Sequence, residues 1–227
     1  KPFTPRTPPA LQNVRGSIFS VLRRRDVLLH HPYDSFSPVV NLLEAAADDP
    51  EVLAIKTTLY RVGSNPPVLQ ALKKARLNNK QVAAVVELKA RFDEETNIHW
   101  AQELESVGVH VAYGLIGLKT HCKVTLIVRR EREGVHLSSG NYNSVTARLY
   151  TDIGFLTDDE ALADDASDLF NFLTGYSRQE TFRKFLVAPV SIRPRLLEFI
   201  RRETALGPQG RILIKCNSLV DGEIIRA

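Results

Sequence analysis

Two cysteines, Cys122 and Cys216, are all the thiol chemistry that these 227 residues offer. Two thiols so far apart in sequence build neither a disulfide framework nor a zinc site, so the chain reads as one made for a reducing cytosol. An apolar run long enough to span a bilayer is missing too, as is any stretch that reads as a secretory signal. Low-complexity tracts are absent. Charge of one sign is scarce: 30 Lys and Arg stand against 26 Asp and Glu, a formal +4. So mild a basic bias admits an anionic partner without choosing among nucleotide, nucleic acid and phosphate polymer. What remains, at 44% hydrophobic and 25% charged, is an ordinary globular composition. The length suits one sizeable α/β domain plus a second piece. Both ends look cut: residues 1–9 are linker-like and residues 224–227 stop in mid-pattern, so a piece of a longer protein is expected.

Hydrophobic periodicity then orders the chain. Ser37-Pro38 starts a helix through Ala47, with proline in the first turn where its missing N–H costs little. Strand patterns cover 52–60, 81–88 and 109–113, and helices cover 68–77 and a segment opened by Asp93. The apolar run Val124–Val128 predicts a further strand, turned back near Glu133-Gly134 into Val135-His136-Leu137. A long helix is expected over 158–173 and another over 193–204. Residues 211–216 read as the first strand of a new unit and 218–226 as its first helix, faintly echoing 53–59. Strands alternating with helices of this length predict an α/β sheet covered on both faces.

The chemistry gathers at predicted strand ends, where α/β sheets place their sites. His121 and Lys123 stand two apart at the start of a strand, which puts both side chains on one face. A nitrogen nucleophile that works near neutral pH beside a fixed cation suits attack on phosphorus. Arg61 follows one strand and Arg91 another, and a guanidinium fork matches phosphate oxygens. An ion pair with Asp93, Glu94 or Glu95 serves equally well for Arg91. The small-residue turn Ser138–Asn143 lets backbone N–H groups and an asparagine such as Asn141 approach a phosphate or hold the imidazole. Tyr150 could stack on a base, and a plain core or rim role is its alternative. Gly114–Thr120 is not a P-loop, since Leu118 precedes the lysine and a strand follows. The Arg23-Arg24-Arg25 triplet reads as a solvated face, and His30, His31, His99 and His110 as structural or exposed.

Thr58–Arg61, Glu87–Glu94, Gly117–Lys123 and Gly140–Asp152 together resemble the first catalytic domain of bacterial polyphosphate kinases that work through phosphohistidine. The resemblance runs over most of residues 8 to 227. It implies a phospholipase D-like α/β fold, a mixed sheet flanked by helices, with the start of a second similar domain. The expected division is a linker over 1–10, a first catalytic domain over 11–184 and the start of the second over 185–227. By position, His121 matches the histidine that takes the γ-phosphate of ATP, with Lys123 beside it. Arg61 and Arg91 match the arginines of a phosphate–magnesium site, Tyr150 a nucleotide contact, and Asn141 falls in the phosphate-side turn. An arginine has no free lone pair for Mg²⁺, so both are expected to hold phosphate oxygens that the metal bridges. The resemblance further implies ATP/ADP and inorganic polyphosphate as partners, Mg²⁺, no nucleic acid, no integral membrane segment and a homo-oligomer in the full-length protein. The implied location is the cytoplasm, with membrane association left open.

The phospholipase D pattern also expects an Asp seven residues after the histidine, where this chain has Val128. That favours a kinase over the rival reading, a dimeric phospholipase D-like phosphodiesterase or nuclease. A basic scaffold that binds polyanions without turnover is the non-enzymatic alternative.

Overall fold

The computed structural model describes residues 3–12, 16–63, 66–88, 94–178, 181–216 and 218–227. It divides into two compact units, Lys1–Arg178 and Gln179–Ala227.

The first unit is built on one seven-stranded mixed sheet. In chain order it contains α1 (Ile18–Leu22), β1 (Val27–His31), α2 (Ser37–Asp48), β2 (Val52–Leu59), α3 (Pro67–Leu77), β3 (Gln81–Val86) and α4 (Glu94–Ser106). Then follow β4 (His110–Ala112), β5 (Lys123–Arg129), β6 (Glu133–Ser138), β7 (Asp152–Thr157) and α5 (Glu160–Leu173). The spatial order is β1-β7-β6-β5-β2-β3-β4. β2, β3 and β4 run parallel, while β5, β6, β7 and β1 alternate in antiparallel sense.

The two faces have separate cores. Leu42, Leu43 and Val39 of α2 and Val68, Leu69 and Leu72 of α3 bury against Ile55, Val82 and Ile127 in the main apolar cluster. Leu126 is fully buried one residue from Ile127, so the pleat turns it to the opposite side. There α5 packs on β5 and β6, burying Ala163, Ala166 and Phe170. Asp159 caps α5, accepting the Leu162 N–H at 3.0 Å.

Several expectations need correction. Glu133 and Gly134 are not the hairpin turn; they pair with Val128 and Ile127 inside β6. β1 and β7 carry no expected strand pattern, because His30, His31, Asp152 and Gly154 interrupt the apolar alternation, yet they pair with each other over five residues. Asp93 lies outside the described residues, and α4 begins at Glu94.

The second unit holds α6 (Ile192–Ala205) and α7 (Gly222–Arg226), with Arg193 bonded to Asp221 and Glu223. Residues 211–216 form no strand and are exposed. An extended segment needs a neighbouring strand for its N–H and C=O groups, and among its described residues this unit has none. The helix expected over 218–226 shrinks to α7.

Candidate active site

Because β5 and β7 run against their neighbours, one edge of the sheet collects the ends of β2, β3 and β6 and the starts of β5 and β7. Tyr60, Arg61, Glu87, His121, Lys123, Ser138 and Asp152 all belong to it. The β2–β5 register runs to Thr57↔Thr125. Past that point the Thr58 hydroxyl takes over, donating to Cys122 O at 2.8 Å and accepting the Val124 N–H at 3.1 Å. This fixes the backbone of the His121–Lys123 segment.

His121 is exposed, while Lys123 is buried. The Lys123 ammonium lies 3.1 Å from His121 Nδ1 and 2.5 Å from His121 O. The edge of the imidazole meets the Tyr60 ring, with centroids 5.0 Å apart at 70°. That ring also gathers cations: Lys123 Nζ at 5.0 Å, Arg61 Cζ at 5.1 Å and Lys119 Nζ at 5.4 Å from its centroid. Lys119 was not singled out from the sequence as a site residue; its position two before His121 was the available signal.

Although the residue is exposed, partial desolvation of its ring by the neighbouring protein, then Lys123, Lys119 and Arg61, lower the pKa of His121, against an opposing pull from Glu87. The imidazole is therefore neutral around pH 7. Lys123 is itself lowered to about 8, mainly by burial, with Asp152 pulling the other way. Burial raises the Cys122 thiol to about 11, so this sulfur is no nucleophile despite its place between the two.

Glu87 braces the site from β3. Its buried carboxylate accepts the Thr120 N–H at 2.6 Å, one residue before His121. The Asn97 amide of α4 donates to Tyr60 O at 2.6 Å and Glu87 O at 2.9 Å, tying the β2 and β3 ends together. Trp100 Nε1 adds a bond to Gly63 O at 3.0 Å.

Beneath the edge runs a buried polar row that sequence reading missed. Thr57, Thr125 and His136 sit side by side across β2, β5 and β6. Thr57 Oγ1 and Thr125 Oγ1 lie 2.7 Å apart, Thr125 Oγ1 is 2.7 Å from Tyr142 Oη, and Tyr142 Oη is 2.9 Å from His136 Nδ1. Thr125 donates to Tyr142, so the Tyr142 proton is left for His136 Nδ1 and the Thr57 proton for Thr125. Each hydroxyl has one proton, so the chain has one direction. Burial holds His136 down to about 3, neutral throughout the physiological range. The only sequence signal was a histidine at an inward position of an apolar strand.

Tyr142 anchors the turn after β6. Ser139 Oγ donates to Asp152 Oδ1 at 2.8 Å and accepts the Ile153 N–H at 2.9 Å, stitching the turn to β7. A Cβ on Gly140 would stand 2.6 Å from Asp152 Oδ2, so only glycine fits there without moving the carboxylate.

Of the residues expected to meet, His121, Lys123 and Arg61 do so around Tyr60. Asn141, in the turn after β6, is half-buried, with its Oδ1 accepting no hydrogen bond and no contact among the described residues joining it to His121. Tyr150 is 62% exposed and makes no ring contact among the described residues. Arg91 lies outside the described residues. Among them, no three His, Cys, Asp or Glu groups converge as a metal site. The cationic donor set around His121 fits phosphate oxygens and does not fit a Mg²⁺ ion held by these residues themselves.

Comparison with known proteins gives the family. The family described as polyphosphate kinase C-terminal domain 1 matches residues 17–179. The chain belongs to the polyphosphate kinase family. A polyphosphate kinase from Prosthecochloris aestuarii is 54% identical over 100% of this chain and 33% of its own length. Polyphosphate kinase 1 of Chlorobaculum tepidum is 58% identical over 93% of this chain and 31% of its own. The chain thus spans about a third of the curated polyphosphate kinases it matches. The crystal structure of polyphosphate kinase from Porphyromonas gingivalis superposes with a TM-score of 0.80 at 36% identity, covering 90% of this chain and 35% of that one. A phospholipase D family member from Salmonella typhimurium matches with a TM-score of 0.50 at 18% identity, over 65% of this chain and 91% of that one. That likeness shows the fold alone: the polyphosphate kinase chain is phospholipase D-like. No helix among its described residues is long and apolar enough to cross a membrane.

Proposed function

We propose that this chain supplies the phosphoryl-carrying part of an enzyme that moves the γ-phosphate of ATP reversibly to the end of a polyphosphate chain. Residues 11–184 form its first catalytic domain, and residues 185–227 begin the next. The observation that carries this reading is a neutral imidazole, His121, set against Lys123 and among Lys119 and Arg61 around one aromatic ring. A neutral nucleophile ringed by cations is suited to a phosphoryl group whose charge spreads over three oxygens, which needs charge stabilisation and in-line positioning more than covalent help.

His121 attacks the γ-phosphorus. A nitrogen–phosphorus bond forms as the bond to the β,γ-bridging oxygen breaks, and its electron pair leaves with ADP. A terminal oxygen of polyphosphate then attacks the phosphohistidine; the new phosphorus–oxygen bond forms and the lone pair returns to the ring. Lys123, Lys119, Arg61 and Arg91 hold phosphate oxygens, Asn141 and the Ser138–Gly140 turn face them, and Tyr150 contacts the nucleotide. ATP arrives as its Mg²⁺ complex, the metal neutralising phosphate oxygens as part of the substrate.

The test uses the longer protein that contains this chain, given γ-labelled ATP and Mg²⁺. An acid-labile label on His121, lost with polyphosphate synthesis in both directions in His121→Ala, is expected. Undiminished synthesis in that variant refutes the assignment, and diester cleavage without label points to a nuclease.

A further inference from the structure

Lys123 stands in an unusual relation to the nitrogen it is meant to assist. Its ammonium sits 3.1 Å from Nδ1 and 2.5 Å from the carbonyl of the same histidine. An ammonium has three donors and no acceptor, so Nδ1 must be the acceptor. A neutral imidazole with Nδ1 accepting carries its proton on Nε2. One nitrogen then has its lone pair occupied and the other has none. Neither can attack phosphorus.

We propose that Lys123 latches the nucleophile: without substrate it holds the His121 ring in this doubly blocked state, and an incoming phosphate anion releases the ring by drawing the ammonium onto its own oxygens. Once Lys123 turns to a phosphate, Nδ1 is free. Because His121 is exposed, Nε2 can give its proton to solvent while Nδ1 takes one, with no net change in charge. Readiness of the nucleophile is thereby tied to occupancy by the anion it is meant to serve.

Burial and the neighbouring cations weaken the Lys123 ammonium but leave it in the donor state at pH 7. The groups bearing on it are Asp152 of β7, Cys122 beside it, Arg61 at the end of β2 and Lys119 in the preceding loop. Those bearing on His121 are Lys123, Lys119, Arg61 and, from β3, Glu87. With Lys123 titrating at about 8, the ammonium predominates at pH 7 and the latch is closed. Above that, a neutral amine can accept the Nδ1 proton and the arrangement opens without phosphate.

The consequence for catalysis rests on His121 being the nucleophile; the latch itself does not, and it can be tested without turnover. Diethyl pyrocarbonate reacts with unprotonated imidazole lone pairs, and exposed His99 and His110 serve as internal standards. At pH 7, Lys123→Met should make His121 about tenfold more reactive relative to those standards, the worth of one charge-assisted hydrogen bond. Simple damage to the site would not raise reactivity selectively. In the unaltered chain labelled with ¹⁵N-histidine, inorganic tripolyphosphate should move the His121 Nδ1 resonance away from its hydrogen-bonded position. Unchanged or lower reactivity in Lys123→Met overturns the proposal, as does an Nδ1 signal that tripolyphosphate saturates without moving. Absence of phosphohistidine in the longer protein would instead overturn the kinase reading and leave the latch standing.

Discussion

Acid should loosen this fold through one residue far from any carboxylate argument, His136. Its folded-state pKa is about 3 against an ordinary 6.5, because protonation would place a charge in a fully buried site. Between those values the unfolded chain holds a proton that the folded chain does not, so stability falls as pH falls. The contribution is complete above pH 6.5 and is lost progressively down to about 3. At 1.4 kcal/mol per unit, the loss between pH 6 and pH 4 is about 2–3 kcal/mol, a large part of the margin of an ordinary domain. Urea unfolding of the chain and of His136→Gln at pH 7.5, 6, 5 and 4 isolates the effect. Carboxylates titrate alike in both, so their contributions cancel in the difference. Glutamine will cost stability at pH 7.5 by disturbing the bond from Tyr142. That deficit should shrink by about 1 kcal/mol per pH unit below 6, because the variant has no buried imidazole to charge. Parallel loss of stability in the two proteins would refute the reasoning.

Two further outcomes follow from the site's supports. Glu87→Ala strands the buried Thr120 N–H and should cost about 1–3 kcal/mol in urea unfolding, whereas Glu87→Gln keeps an acceptor and should cost less; equal losses would mean the Thr120 bond is not what matters. Gly140→Ala pushes into the Asp152 carboxylate at 2.6 Å, so it should destabilise by about 1–3 kcal/mol and further lower the titration of Lys123, which NMR of the lysine side chain can follow.

What could be read from the sequence were features that repeat locally. The apolar periodicities of α2, α3 and α5, and the short buried runs of β2, β3 and β5, state their own structure. β1 and β7 did not, since each is defined by the other: His30, His31 and Gly154 make sense only once the two strands lie side by side. The error at residues 211–216 is the converse, a strand-like pattern with no partner. At the site, residues joined by short spacing or a strand end (His121, Lys123, Arg61) were legible. Tyr60 and Glu87 were visible within motifs, but their roles were not, because the cations on the ring and the bond to Thr120 span three strands. The Thr57–Thr125–Tyr142–His136 row exists only through cross-strand register.

The Tyr60 ring has a last consequence. Among the described residues, neither Lys119 nor Lys123 has a carboxylate within ion-pair distance; the face of a phenol ring does part of that work. A carboxylate partner would compete with every arriving phosphate and would have to be pushed aside. A ring keeps its quadrupole whether or not the anion is present, and it has no salt bridge to break. Tyr60 is therefore a partner that never has to leave, and under the proposed function it would let the same cations receive a nucleotide and release a polymer in either direction.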